Sequence, residues 1–116
     1  MTFRAPQILH VVTITFALGA ATPLFAAGQD AKKGQEVYAA QKCQMCHSIE
    51  GKGGKQSPLD GVGKKLSADD IRLWIVSPTE AAAKFKSTKK PPMPAKYSKL
   101  PAAELDALVA YMVSLK

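Results

Sequence analysis

Two thiols and an imidazole stand together in the run Cys43-Gln44-Met45-Cys46-His47. Cysteines three positions apart share one face of a helical turn, so both sulfurs can reach the same partner. Thiols placed this way can add across the two vinyl groups of a haem, and His47 then falls where it can ligate the iron. Cys-x-x-Cys-His is the attachment signature of c-type haem. Competing chemistries ask for features the chain lacks. A thioredoxin-like dithiol needs a βαβ setting, structural zinc wants four Cys or His ligands, and a disulfide closing so small a loop gains little entropy. None of the three gives His47 a role. One covalent haem c, held by Cys43 and Cys46, is the expected cofactor.

The run Lys90-Pro91-Pro92-Met93-Pro94 offers a second iron ligand. A thioether is a soft ligand for haem iron, and Met opposite His raises the reduction potential. The prolines stiffen a loop that must hold a weak ligand in place. Met45 lies inside the attachment motif, too close to His47 to reach the other haem face. Met112 falls on the apolar stripe of the last helix and reads as core. His47 and Met93 are therefore the expected axial pair. Trp74 either donates its indole N–H to a haem propionate or packs against the ring, and packing is the expectation at its helical spacing.

Helices must position these groups. Asp30 is placed to cap a first helix in which Ala31, Gly34, Val37 and Tyr38 share a face. Gly51 to Lys65 carries five glycines and Pro58 and reads as a long loop. Ser67, with Asp70 three residues on, opens a second helix with Ile71, Trp74 and Ile75 as its buried stripe. Ser77-Pro78-Thr79-Glu80 starts a short third helix with Pro at its first position. Lys86 to Pro94 cannot be helical. Pro101 to Leu115 forms an amphipathic last helix with Leu105, Leu108, Val109, Met112 and Leu115 inward. No alternating strand pattern and no repeat occurs, so the expected fold class is all-α, about four helices around one haem.

Residues 1–28 read as a removable signal peptide: Arg4, an apolar run from Ile8 to Ala21, Pro23, then small residues at Ala26, Ala27 and Gly28. An uncleaved membrane anchor is the alternative. Residues 29–116 are then the exported domain, in the periplasm. A domain of that size buries only about 60–65% of its unfolded surface, and a cofactor in the core adds what is missing.

The whole chain has a formal charge of +7, with 16 Lys or Arg against nine Asp or Glu. Anionic partners are favoured: acidic redox proteins, a periplasmic oxidoreductase or, weakly, an anionic membrane surface. Nucleic acid is not expected, because the lysines are scattered and no aromatics interleave with them. Lys89, Lys90, Lys96 and Lys99 flank the Met93 loop and are candidate docking charges. A monomer is expected.

With these motifs in view, the chain from about residue 30 to 115 resembles the class I c-type cytochromes of bacteria. The resemblance implies that Gly34 lets the first helix cross closely over the last, with Leu108 and Tyr111 at the crossing. It implies that Met93-Pro94 is the ligand loop. It also implies that the carbonyl of Pro58, in Ser57-Pro58-Leu59, accepts a hydrogen bond from the His47 ring. Pro101 departs from the pattern, standing where a capping Ser or Thr is usual. The implied function is one-electron transfer on a His/Met-ligated haem, as a free carrier or the haem subunit of an oxidoreductase, with no catalytic residue. The rival is a haem with a labile sixth ligand that binds nitric oxide or peroxide. It wants a polar distal side chain, and the exported chain has no His besides His47.

Overall fold

The computed structural model describes residues 24–116. Most of the expected signal segment, residues 1–23, lies outside that range. The described chain holds five α-helices and one two-stranded ribbon. Helix α1 spans Leu24–Ala40, so Asp30 lies inside it rather than capping it. The residues before Asp30 include Ala26 and Ala27, the best helix formers, and Gly28 costs only about 1 kcal/mol. The helix runs through all of them.

A 3-10 turn over Cys43–Met45 follows α1. Next comes an antiparallel ribbon, β1 (Ser48–Ile49) with β2 (Lys52–Gly53), where Ser48 faces Gly53 and Ile49 faces Lys52. Its two turn residues both have positive φ, 52° at Glu50 and 75° at Gly51, as tight hairpins require. Glu50 is an unusual occupant, and its backbone N–H is anchored by the Asp60 carboxylate at 2.7 Å. The glycine-rich stretch thus contains structure: the ribbon and a one-turn helix α2, Val62–Lys65.

Helix α3 spans Ala68–Val76 and begins as its sequence dictates. The Ser67 hydroxyl accepts the Asp70 N–H at 3.1 Å. Helix α4, Pro78–Lys84, starts directly after Ser77 with Pro at its first position. An irregular stretch carries the chain to a 3-10 helix at Ala95–Lys99, and helix α5, Ala102–Ser114, closes the fold. Pro101 leaves α5 without a side-chain cap.

The α1–α5 crossing is the most extensive contact between elements. Gly34 makes it possible: a Cβ there would meet the Ala107 carbonyl oxygen at 1.9 Å. Tyr38 and Tyr111 meet edge-on beside it, ring centroids 5.8 Å apart. Val37, Tyr38, Ile71, Ile75, Tyr97, Leu108, Val109 and Met112 form the buried core. Trp74 is only half-buried, so the inward stripe of α3 narrows to Ile71 and Ile75. No helix among the described residues is long and apolar enough to cross a membrane.

Candidate functional site

The end of α1 sets the cysteine motif. Lys42 turns left-handed, with φ 56°, which stops the helix and starts the tighter turn. The Cys43 carbonyl then accepts both the Cys46 N–H, at 3.2 Å, and the His47 N–H, at 3.0 Å. One turn therefore carries both thiols and the imidazole. Gly53 packs beneath it with φ 110°, where a Cβ would lie 2.3 Å from the His47 carbonyl oxygen. Cys43 is half-buried and Cys46 exposed, and the sulfurs are not bonded to each other. Burial pushes the Cys43 thiol up from its ordinary pKa, partly opposed by a hydrogen bond from its own backbone and by the nearby Lys96 charge.

His47 is oriented by the loop that follows β2. Ser57 N–H donates to the Cys46 carbonyl at 3.3 Å, and Leu59 N–H donates to the Ser48 carbonyl at 2.9 Å. Pro58, which has no N–H, sits between these two ties. The carbonyl thus aimed at the imidazole is that of Ser57, 2.8 Å from His47 Nδ1. This corrects the expectation for Pro58: the acceptor is one residue earlier. Pro58 contributes by restricting the backbone of Ser57 before it and by lining the cavity. A carbonyl only accepts, so Nδ1 carries the proton and Nε2 keeps its lone pair for a metal. On the other side of the turn, the Tyr38 hydroxyl donates to the His47 carbonyl at 3.2 Å. Burial, aided by nearby Cys43 and Tyr111, pushes the Tyr38 pKa up to about 12.

Cys43, Cys46, His47, Pro58, Trp74 and Met93 all line one cavity of about 800 Å³. That lies within the range of about 300–1,000 Å³ usual for sites that bury a small ligand. Met93 is half-buried on its wall. Met112 also reaches the wall but is anchored in the core of α5, and Met45 is 72% exposed. Trp74 stacks on Phe85, with centroids 5.9 Å apart and planes 18° apart. Among the described residues no group of three or more His, Cys, Asp or Glu gathers as a metal site. The donors instead match a haem: two thiols on one turn, an imidazole with Nε2 available and a thioether on the same cavity wall.

Several contacts escaped the sequence reading. The Ser57 carbonyl was hidden because a sequence does not show where a carbonyl points, although Pro58 marked the loop. Tyr38 read only as part of a helix face. Lys89, expected among the docking charges, directs its ammonium to the Gln56 carbonyl at 3.2 Å, and Lys96 lies over the Tyr97 ring, 5.2 Å from its centroid.

The family model described as Cytochrome c matches residues 31–116. No curated protein and no solved structure matches the chain significantly. The match takes in most of α1, the cysteine motif, the Met93 loop and α5, and so the chain belongs to the cytochrome c family, whose members bind haem c and generally act as electron carriers.

Proposed function

We propose that this protein carries single electrons in the periplasm on one haem c. Cys43 and Cys46 hold the haem covalently, and His47 and Met93 ligate its iron. The observation that carries the reading is the shared cavity: the cysteine turn, an imidazole whose Nδ1 is bonded to the Ser57 carbonyl, and Met93 all face it. When bound, the haem supplies a one-electron iron couple.

The chain's own residues do the rest. Ser57 fixes the His47 ring and its tautomer. Met93 would offer the iron of a bound haem a soft donor, which would favour the reduced state. Pro91, Pro92 and Pro94 restrict the backbone that presents Met93. Leu108, Ile71 and Trp74 on the cavity wall exclude water, which disfavours the extra charge of the oxidised state. His47 and Met93 would together occupy the iron of a bound haem, which would leave electron transfer as the chemistry supplied there.

The pattern of residues 1–28 supports export and therefore a periplasmic site of action. The excess of lysine supports docking to acidic redox proteins or to an oxidoreductase, with only weak adherence to anionic membranes. The test is haem staining on denaturing gels after acid–acetone extraction of matured protein, combined with a carbon monoxide spectrum. Retained colour and no carbon monoxide shift are expected. Colour lost to the solvent refutes covalent attachment, and a strong shift at neutral pH refutes the closed iron in favour of a small-molecule-binding haem.

A further inference from the structure

The rim of the cavity holds a contact that this electron-carrier reading does not use. Lys89 Nζ donates to the Gln56 carbonyl at 3.2 Å, joining residues 33 apart in sequence. Both residues line the cavity mouth. Gln56 directly precedes Ser57, whose carbonyl holds the His47 ring at 2.8 Å. Lys89 stands four residues before Met93, in the irregular stretch that follows α4. One side chain therefore bridges the loop that orients the imidazole and the loop that presents the thioether.

The Lys89 end of the bridge is itself braced, since its N–H donates to the Ser87 hydroxyl at 3.5 Å. At the far end of the Met93 loop, Tyr97 is buried and its hydroxyl donates to the Gln41 carbonyl at 3.5 Å, two residues before Cys43. The segment between Lys89 and Tyr97 is thus fastened at both ends to the segments that carry the cysteine motif and the His47 acceptor. Its interior holds Met93 and three prolines. Pinning both ends shortens the span free to move and lowers the entropy of the opened state.

We infer that Lys89 is a positioning residue, a strap that keeps the Met93 loop closed over the pocket. The inference rests on the reading of Met93 as a ligand. It separates Lys89 from the docking lysines: its ammonium is directed across the cavity rim to a carbonyl, and its effect falls on loop opening. A hydrogen bond to a charged donor at an exposed site is worth about two- to ten-fold in an equilibrium.

The test uses the matured, haem-loaded full chain in its ferric form and follows binding of hydrogen cyanide, which is uncharged at neutral pH. Cyanide reaches the iron only after Met93 leaves, so its binding rate reads loop opening. Lys89→Ala is expected to bind about two- to ten-fold faster than the parent. Lys89→Arg, which keeps a donor on a long stem, should stay near the parent, and so should Lys32→Ala, which removes a charge on α1. An unchanged rate in Lys89→Ala overturns the strap. Equal acceleration in Lys32→Ala also overturns it, because charge alone would then be the cause. If the parent lacks a Met–iron absorption band at neutral pH, the ligation reading fails instead. The strap is then judged by amide hydrogen exchange over residues 86–93, which must quicken in Lys89→Ala and stay parental in Lys89→Arg.

Discussion

His47 shows how a single side chain acquires its role from backbone groups around it. The Ser57 carbonyl accepts a hydrogen bond from its ring Nδ1–H, and the Tyr38 hydroxyl donates to its backbone carbonyl. His47 is therefore held from two sides, its backbone by α1 and its ring by the loop after the ribbon. Tyr38→Phe removes one of these ties while keeping the ring that packs on Tyr111. It is expected to lower stability by about 1 kcal/mol, the usual worth of a partly buried hydrogen bond, as measured by urea unfolding of the haem-loaded protein. A loss no larger than experimental error would mean that the hydroxyl is equally well satisfied by water. At this scale the sequence made the candidate donors legible, because Cys43, Cys46, His47 and Met93 are defined by side-chain type and spacing, and all four line one cavity. It did not make the acceptor legible. Whether the Ser57 or the Pro58 carbonyl meets His47 depends on backbone direction, which the flanking ties to Cys46 and Ser48 decide.

Among the elements, the α1–α5 crossing depends on one missing methyl group. Gly34→Ala would drive a Cβ into the Ala107 carbonyl oxygen, which belongs to helix backbone and cannot swing aside. The helices must separate, and a loss of about 3 kcal/mol is expected in thermal or urea unfolding. A stable Gly34→Ala protein would show that the helices can shift at little cost. Helix α3 gives a prediction in pH. The Lys84 ammonium, then the Ser67 hydroxyl, holds the Asp70 carboxyl below its ordinary range. Its folded pKa is depressed, so its contribution is present above the unfolded value of about 3.9 and fades as pH falls through the folded value. Asp70→Asn should therefore flatten the decline of stability below about pH 4, and an acid profile identical to the parent's would contradict this. The start of α3 was legible because Ser67 and Asp70 are a local signal. The ribbon was not, since two-residue strands show no alternation, and α2 is too short for periodicity. The start of α1 was misplaced because Asp30 resembles a cap while the alanines before it favour continuing the helix.

For the whole molecule, the positive charge is spread over the surface while the cavity wall is largely apolar. Long-range attraction of this kind speeds encounter with acidic partners. Electron transfer to such a partner should slow as salt rises from about 0.1 M to about 1 M, where the Debye length contracts from about 10 Å to about 3 Å. Stopped-flow rates that stay flat over that range would remove electrostatic docking from the account. The described elements converge on one cavity that brings the cysteine turn and the Met93 loop together, and the proposed function requires the haem iron to be kept closed there. The most direct measurement is the optical spectrum of haem-loaded Met93→Ala beside the parent, with and without carbon monoxide. The parent should show the Met–iron charge-transfer band at the red end of its ferric spectrum and no response to carbon monoxide. Met93→Ala should lose the band, bind carbon monoxide and have a lower reduction potential. A Met93→Ala protein that keeps the band, the potential and the indifference to carbon monoxide would contradict the central claim and turn attention to Met112.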